Sequence, residues 1–200
     1  MYFRYEVSAL KQARPDLLIG HGDYVDWEKG TGGHPRPGTV DSLTWGYFDF
    51  AQPEVRDHKL AVISEFITRW DNDGVSLDFD RDPWYFREQG SEENCLLMTE
   101  LIRRVRRTLD EQADRRGKPQ YLHVRLIPDM EACRQRGLDI RGWVAEGLVD
   151  AVTPGCGYMT LSLDLAPWLE LVEGKDCWVY PSNNHWKTPE QTRAWAKLMY

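Results

Sequence analysis

Trp70-Asp71-Asn72-Asp73-Gly74-Val75-Ser76-Leu77-Asp78-Phe79-Asp80-Arg81-Asp82-Pro83-Trp84-Tyr85-Phe86 sets the architecture of this chain. Asp73-Gly74 supplies turn chemistry after a helix, and Val75, Leu77 and Phe79 read as a short buried strand. That strand runs straight into Asp78, Asp80, Arg81 and Asp82, followed by Pro83 and three aromatics. Carboxylates are costly to desolvate unless they are paired or used. In parallel α/β proteins ligands gather at the carboxyl ends of the strands. The stretch therefore predicts an acidic, aromatic-walled site at the top of a β-strand.

Upstream, Pro53 stands where a helix tolerates proline, and a helix is expected to about residue 70. Val55, Val62, Ile63, Phe66, Ile67 and Trp70 recur at helical spacing and are expected to face inward. Downstream, Ser91-Glu92-Glu93-Asn94 has the shape of a capping box with Asn in the last place. It opens a helix to about residue 116, with Leu97, Leu101, Ile102, Val105 and Leu109 inward. Arg103, Arg104, Arg106 and Arg107 fall on the other face and read as solvated charge. A strand over 121–127, short helices over 130–136 and after Asp139, and a strand over 148–153 follow. A helix over 163–172, a strand over 177–180 and a last helix from Thr188 complete the pattern. The Gly- and Pro-rich stretch 20–44, with His21, Asp23, Asp26, Trp27 and His34, reads equally as a binding loop or a surface insertion.

Strand, loop and helix thus alternate four times, and runs such as 122–127 lack the polar alternation of a half-exposed antiparallel sheet. The pattern predicts an α/β fold with a parallel sheet. No Gly-x-Gly-x-x-Gly or P-loop supports a nucleotide-binding open sheet. A (β/α)8 TIM barrel is the expected form, its strand ends bringing Asp78, Asp80, Arg81, Arg125, Thr153, Tyr180 and Asn183 to one mouth. Such barrels need about 250 residues. One barrel domain over 1–200, truncated at one or both ends, is therefore expected, with a complete smaller open-sheet domain as the alternative.

A net charge of −7 argues against nucleic acid or an anionic membrane as the main partner. No apolar run is long enough to span a bilayer, and no signal peptide is visible. Cys95, Cys133, Cys156 and Cys177 are scattered, without C-x-x-C, so free buried thiols are expected rather than a zinc site. Nine Trp and nine Tyr leave aromatics to spare for stacking on flat ligand faces such as sugars.

Glycosidic hydrolysis needs one protonated and one ionised carboxyl group. Asp78 and Asp80 stand two apart, so a regular strand would turn both to the side opposite Val75, Leu77 and Phe79. Like charges in proximity raise one pKa, which suits an acid beside a base. Arg81 or Arg125 is placed to pair with either acid; a purely structural Asp78–Arg125 salt bridge is the competing reading. Trp84 and Tyr85, with Phe86, are the candidate sugar platform. His123, Tyr180 and Asn183 are candidate hydrogen-bonders.

Phe50-Ala51-Gln52-Pro53-Glu54-Val55-Arg56-Asp57 and Asp71-Asn72-Asp73-Gly74-Val75-Ser76-Leu77-Asp78-Phe79-Asp80-Arg81 together resemble a pattern of the glycoside hydrolase-like TIM-barrel proteins, the glycosyl hydrolase-like 10 type and its bacterial relatives. Asp73-Gly74-x-x-x-Asp78-x-Asp80 is also similar to the strand-4 motif of family 18 chitinases, with Asp80 where those enzymes carry their acidic glutamate. The resemblance covers roughly residues 50–153. It implies carbohydrate hydrolysis without a cofactor, with Asp78 at the end of strand 4 as the key position. The expected function is a glycosidase acting on poly- or oligosaccharide. The alternatives are a non-catalytic carbohydrate-binding barrel, or a metal-dependent barrel using Asp78, Asp80 and His123.

Overall fold

The computed structural model describes residues 10, 13–19, 47–80, 83–155, 163–182, 188–190, 193 and 197. The candidate loop 20–44 and the last helix lie wholly or largely outside the described residues, as do Arg81, Cys156 and Asn183.

A 3-10 turn at Pro15–Leu17 precedes α1 (Pro53–Arg69), β1 (Gly74–Asp78), α2 (Glu92–Arg116), β2 (Tyr121–Leu126), α3 (Met130–Gln135), α4 (Ile140–Ala145), β3 (Ala151–Pro154), α5 (Ala166–Val172) and β4 (Trp178–Val179). The four strands form one sheet in the order β1-β2-β3-β4, and every neighbouring pair is parallel. The protein is therefore α/β with a parallel sheet, as the alternation predicts.

Gly74 is required where β1 begins. Its φ of +148° is one that side chains rarely adopt, and a Cβ there would lie 2.1 Å from the Tyr121 carbonyl oxygen. The two strands can approach only because that atom is missing. In register, Ser76 opposes His123 and Asp78 opposes Arg125. His123 in turn opposes Ala151, and Arg125 opposes Thr153.

Burial alternates along β2, with Leu122, Val124 and Leu126 inaccessible and His123 and Arg125 half-buried. This differs from the expected uniform run. One sheet face is apolar and the other polar, because successive side chains point to opposite faces. The apolar face, with Val75, Leu77, Leu122, Val124 and Val152, shares one core with Ile63 and Ile67 of α1 and with Leu101, Ile102, Val105 and Leu109 of α2. Trp143 of α4 joins it and donates from Nε1 to Thr99 Oγ1 at 2.9 Å. Trp168 of α5 likewise donates to the Pro128 carbonyl at 3.0 Å. Large aromatics are tolerated here because each indole N–H finds an acceptor.

α1 buries a narrower stripe than expected. Val55, Lys59, Ile63 and Ile67 face inward at four-residue intervals, whereas Val62, Phe66 and Trp70 are exposed. Helical spacing alone marks about half the helix surface, and α2, with a smaller contribution from β1, covers only one row of it. Ser91 makes no side-chain cap to α2; Asn94 instead donates to the Glu88 carbonyl at 2.7 Å, which explains why Asn serves there. Asp129 and Asp139 cap α3 and α4 through the amides of Ala132 and Gly142. The arginine face of α2 is ion-paired rather than merely solvated. Arg103 meets Glu146, Arg104 meets Asp57, and Arg106 meets Asp150. Cys95, Cys133 and Cys177 are free and buried.

Candidate functional site

The carboxyl ends of β1 and β2 carry a compact charged cluster. Arg125 donates from one terminal nitrogen to Asp78 Oδ2 at 3.2 Å and from the other to Asp80 Oδ2 at 2.7 Å. The Asp80 amide donates to Asp78 Oδ1 at 3.0 Å, an Asx-type turn that bends the chain out of the strand. Phe79 still donates to the Arg125 carbonyl at 2.8 Å, so the sheet holds up to the bend. Side-chain exposure is 21% for Arg125, 11% for Asp78 and 4% for Asp80.

Burial pushes the Asp80 carboxyl above the usual carboxylate range, and the nearby Asp78 charge adds to this; the Arg125 guanidinium opposes it. Gly155, just beyond β3, closes over the same group. A Cβ on it would stand 2.8 Å from Asp80 Oδ2. This need for glycine joins two segments far apart in sequence, so a reading of local motifs misses it.

One row nearer the amino ends of the strands, His123 bridges three strands. Its Nδ1 lies 2.8 Å from Ser76 Oγ and its Nε2 lies 2.7 Å from Thr153 Oγ1. Burial holds the imidazole below its usual pKa, so the neutral ring exchanges one donated and one accepted hydrogen bond with the two hydroxyls. Ser76 was not among the expected site residues; the strand register identifies it.

Other expected residues are placed differently. Tyr85 is not a sugar platform. It is buried in the core edge-on to Phe50 and Phe79, and its hydroxyl donates to the Phe79 carbonyl at 2.8 Å. Burial raises its pKa well above the ordinary phenol value. Phe86 is buried beside it. Trp84 is half-buried under the Arg136 guanidinium, 5.9 Å from the ring centroid, so its face is already engaged. An aromatic triplet straight after a strand signals a stacking wall and a core plug equally well. Tyr180 is exposed, with its ring 6.2 Å from that of Trp178.

Among the described residues no group of three His, Cys, Asp or Glu is placed to hold a metal ion. His123 has both ring nitrogens engaged by hydroxyls, and both acids face Arg125. Among the described residues, no helix is long and apolar enough to cross a membrane.

No protein-family model matches the chain, and no curated protein does. Among solved structures, alpha-L-fucosidase isoenzyme 2 from Paenibacillus thiaminolyticus is similar at a TM-score of 0.38 and 15% identity, over 99% of this chain and 36% of that one. The chain spans about a third of that enzyme's length, and a likeness this distant assigns neither family nor activity.

Proposed function

We propose that this chain is part of a glycoside hydrolase-like (β/α) barrel domain acting on poly- or oligosaccharide through carboxylates at the carboxyl ends of its strands. The observation that carries the reading is the joining of Asp78 and Asp80 on one guanidinium, at the ends of adjacent parallel strands. Sequential parallel strand order, with one apolar face packed by helices, supports this reading. In this reading Asp78, on the polar face, meets the substrate. Asp80, with its raised pKa, is the proton-holding partner. Arg125 positions both. Arg81, Tyr180 and Asn183 are proposed substrate contacts.

A second reading, a barrel that binds carbohydrate without turnover, is favoured by one observation. Arg125 already neutralises part of the cluster, and Asp80 is nearly inaccessible. The test is sugar release from a panel of plant, algal and bacterial glycans by the wild type and by Asp78→Asn. Release by the wild type alone supports the hydrolase. Turnover within a few-fold in Asp78→Asn refutes the role given to Asp78. Glycan binding without any release favours the second reading.

A further inference from the structure

The polar face of the sheet is ordered in two rows. Register aligns Ser76, His123, Ala151 and Trp178 in one. Asp78, Arg125 and Thr153 form the next, and Tyr180 extends it, since its amide donates to the Val152 carbonyl at 2.9 Å and so continues the β3–β4 ladder. Each row therefore runs from hydrogen-bonding groups to an aromatic. Trp178 and Tyr180 stand two residues apart on one strand edge, so they share that face. They are 63% and 51% exposed and stacked edge to face. Ala151, the smallest side chain of its row, stands next to Trp178 in register. Two large aromatics held bare next to a line of hydroxyl, guanidinium and carboxylate groups suit a ligand with an apolar face and a hydroxyl rim, which is the chemistry of a pyranose.

Strands in a sheet lie about 4.8 Å apart, so Tyr180 stands roughly 10 Å from Arg125 and roughly 14 Å from Asp78 across the sheet. One sugar ring cannot touch both ends of that row. We propose that Trp178 and Tyr180 form the stacking wall for an oligosaccharide of two or three sugars that lies across the strands and reaches the Asp78–Arg125–Asp80 cluster with its other end. The inference rests on the carbohydrate reading above and adds to it the substrate's minimum length and direction, and a residue, Trp178. It also moves the aromatic platform from Trp84 and Tyr85 to the far edge of the sheet.

The test is calorimetric titration of the protein with cello-, chito- and malto-oligosaccharides of one to six sugars, beside Trp178→Ala, Tyr180→Ala and Trp178→Phe. Both side chains are more than half exposed, so the alanine variants keep the core; unchanged circular dichroism and melting temperature verify this. Affinity in at least one series should rise steeply from one sugar to three and then level off. Each alanine variant should weaken trisaccharide binding roughly three- to tenfold and leave monosaccharide binding unchanged, while Trp178→Phe keeps most of it. Trisaccharide affinity unaltered in both alanine variants, affinity independent of length, or no binding in any series would overturn the inference. If Asp78→Asn abolishes sugar release while Trp178→Ala binds normally, the stacking wall fails and the hydrolase stands. If binding depends on length and on Trp178 but no glycan is cleaved, the wall stands and the hydrolase fails.

Discussion

Arg125→Met tests whether one guanidinium holds the site together. Removing one partner of a buried ion pair costs about 3–5 kcal/mol, because the remaining charge is left uncompensated. Arg125 is 21% exposed against 4% for Asp80, so the lower end, about 3 kcal/mol at pH 7, is expected. In a chain of 200 residues, each kcal/mol moves the melting midpoint about 2–4 °C, which gives a fall of roughly 6–12 °C. The loss should depend on pH. Burial already raises the Asp80 pKa, and Arg125 is what opposes the rise; without it the carboxyl climbs further. A raised folded-state pKa means that the fold prefers the protonated acid. Its contribution is complete below the unfolded value of about 3.9 and is lost as pH rises through the folded value. The deficit of Arg125→Met relative to wild type should therefore be greatest near pH 7 and shrink toward pH 4. Urea unfolding followed by tryptophan fluorescence at several pH values measures it. Adding Asp80→Asn to Arg125→Met should recover part of the loss at pH 7, because a neutral amide needs no counter-charge. A deficit below about 1 kcal/mol at pH 7, or one that does not change with pH, would refute the reasoning.

Gly74→Ala should cost about 3 kcal/mol or more, since it combines an unfavourable φ with a backbone clash against Tyr121; thermal unfolding reads it. Gly155→Ala should cost roughly 1–3 kcal/mol by pushing the Asp80 carboxylate off Arg125, and its loss should overlap with that of Asp80→Asn in a double-mutant cycle rather than add to it. The His123 ring should titrate below 6.5 in a proton NMR series. Because the folded pKa is depressed, its stabilising contribution is present above the unfolded pKa and is lost as pH falls through the folded one. Wild type should therefore lose stability against His123→Gln in mildly acidic solution. Tyr85→Phe should cost about 1 kcal/mol by removing the buried hydrogen bond from the Tyr85 hydroxyl to the Phe79 carbonyl, and should leave glycan affinity untouched.

The parts of the fold that could be read from sequence are those that local chemistry dictates. Pro53, the Asp73-Gly74 turn and the Asp139 cap each fix a chain direction within a few residues, and the elements follow at those points. The acid pair and Arg125 were legible for the same reason, since charges on the end of an apolar strand must be answered by charges on its neighbour. What sequence could not supply is the relation between strands. Trp84, Tyr85 and Phe86 follow the acids directly, yet the chain turns them into the core, while Tyr180 and Trp178 lie roughly a hundred residues away and share the acids' face. The same limit applies to Val62 and Phe66, whose helical spacing is correct and which nevertheless stay exposed.

The charge arithmetic of the cluster separates the two proposed functions. Two carboxylates and one guanidinium carry a net charge of −1 when all are ionised, and a single proton on Asp80 makes the group neutral. Burial favours that neutral state, which is why the Asp80 pKa rises in spite of its bond to Arg125. In the hydrolase reading Asp80 is the acid that holds a proton more readily than an isolated aspartate, while the more exposed Asp78 lies on the polar side of the sheet. Cleavage of a glycosidic bond uses such a proton; stacking and hydrogen bonding of a sugar do not. A pH profile of sugar release should then show a limb governed by the proton on Asp80, and Asp80→Asn should remove that limb. If Asp80→Asn leaves the profile unchanged, the proton is not used. The cluster would then be a salt bridge that braces the strand ends beneath a carbohydrate-binding face.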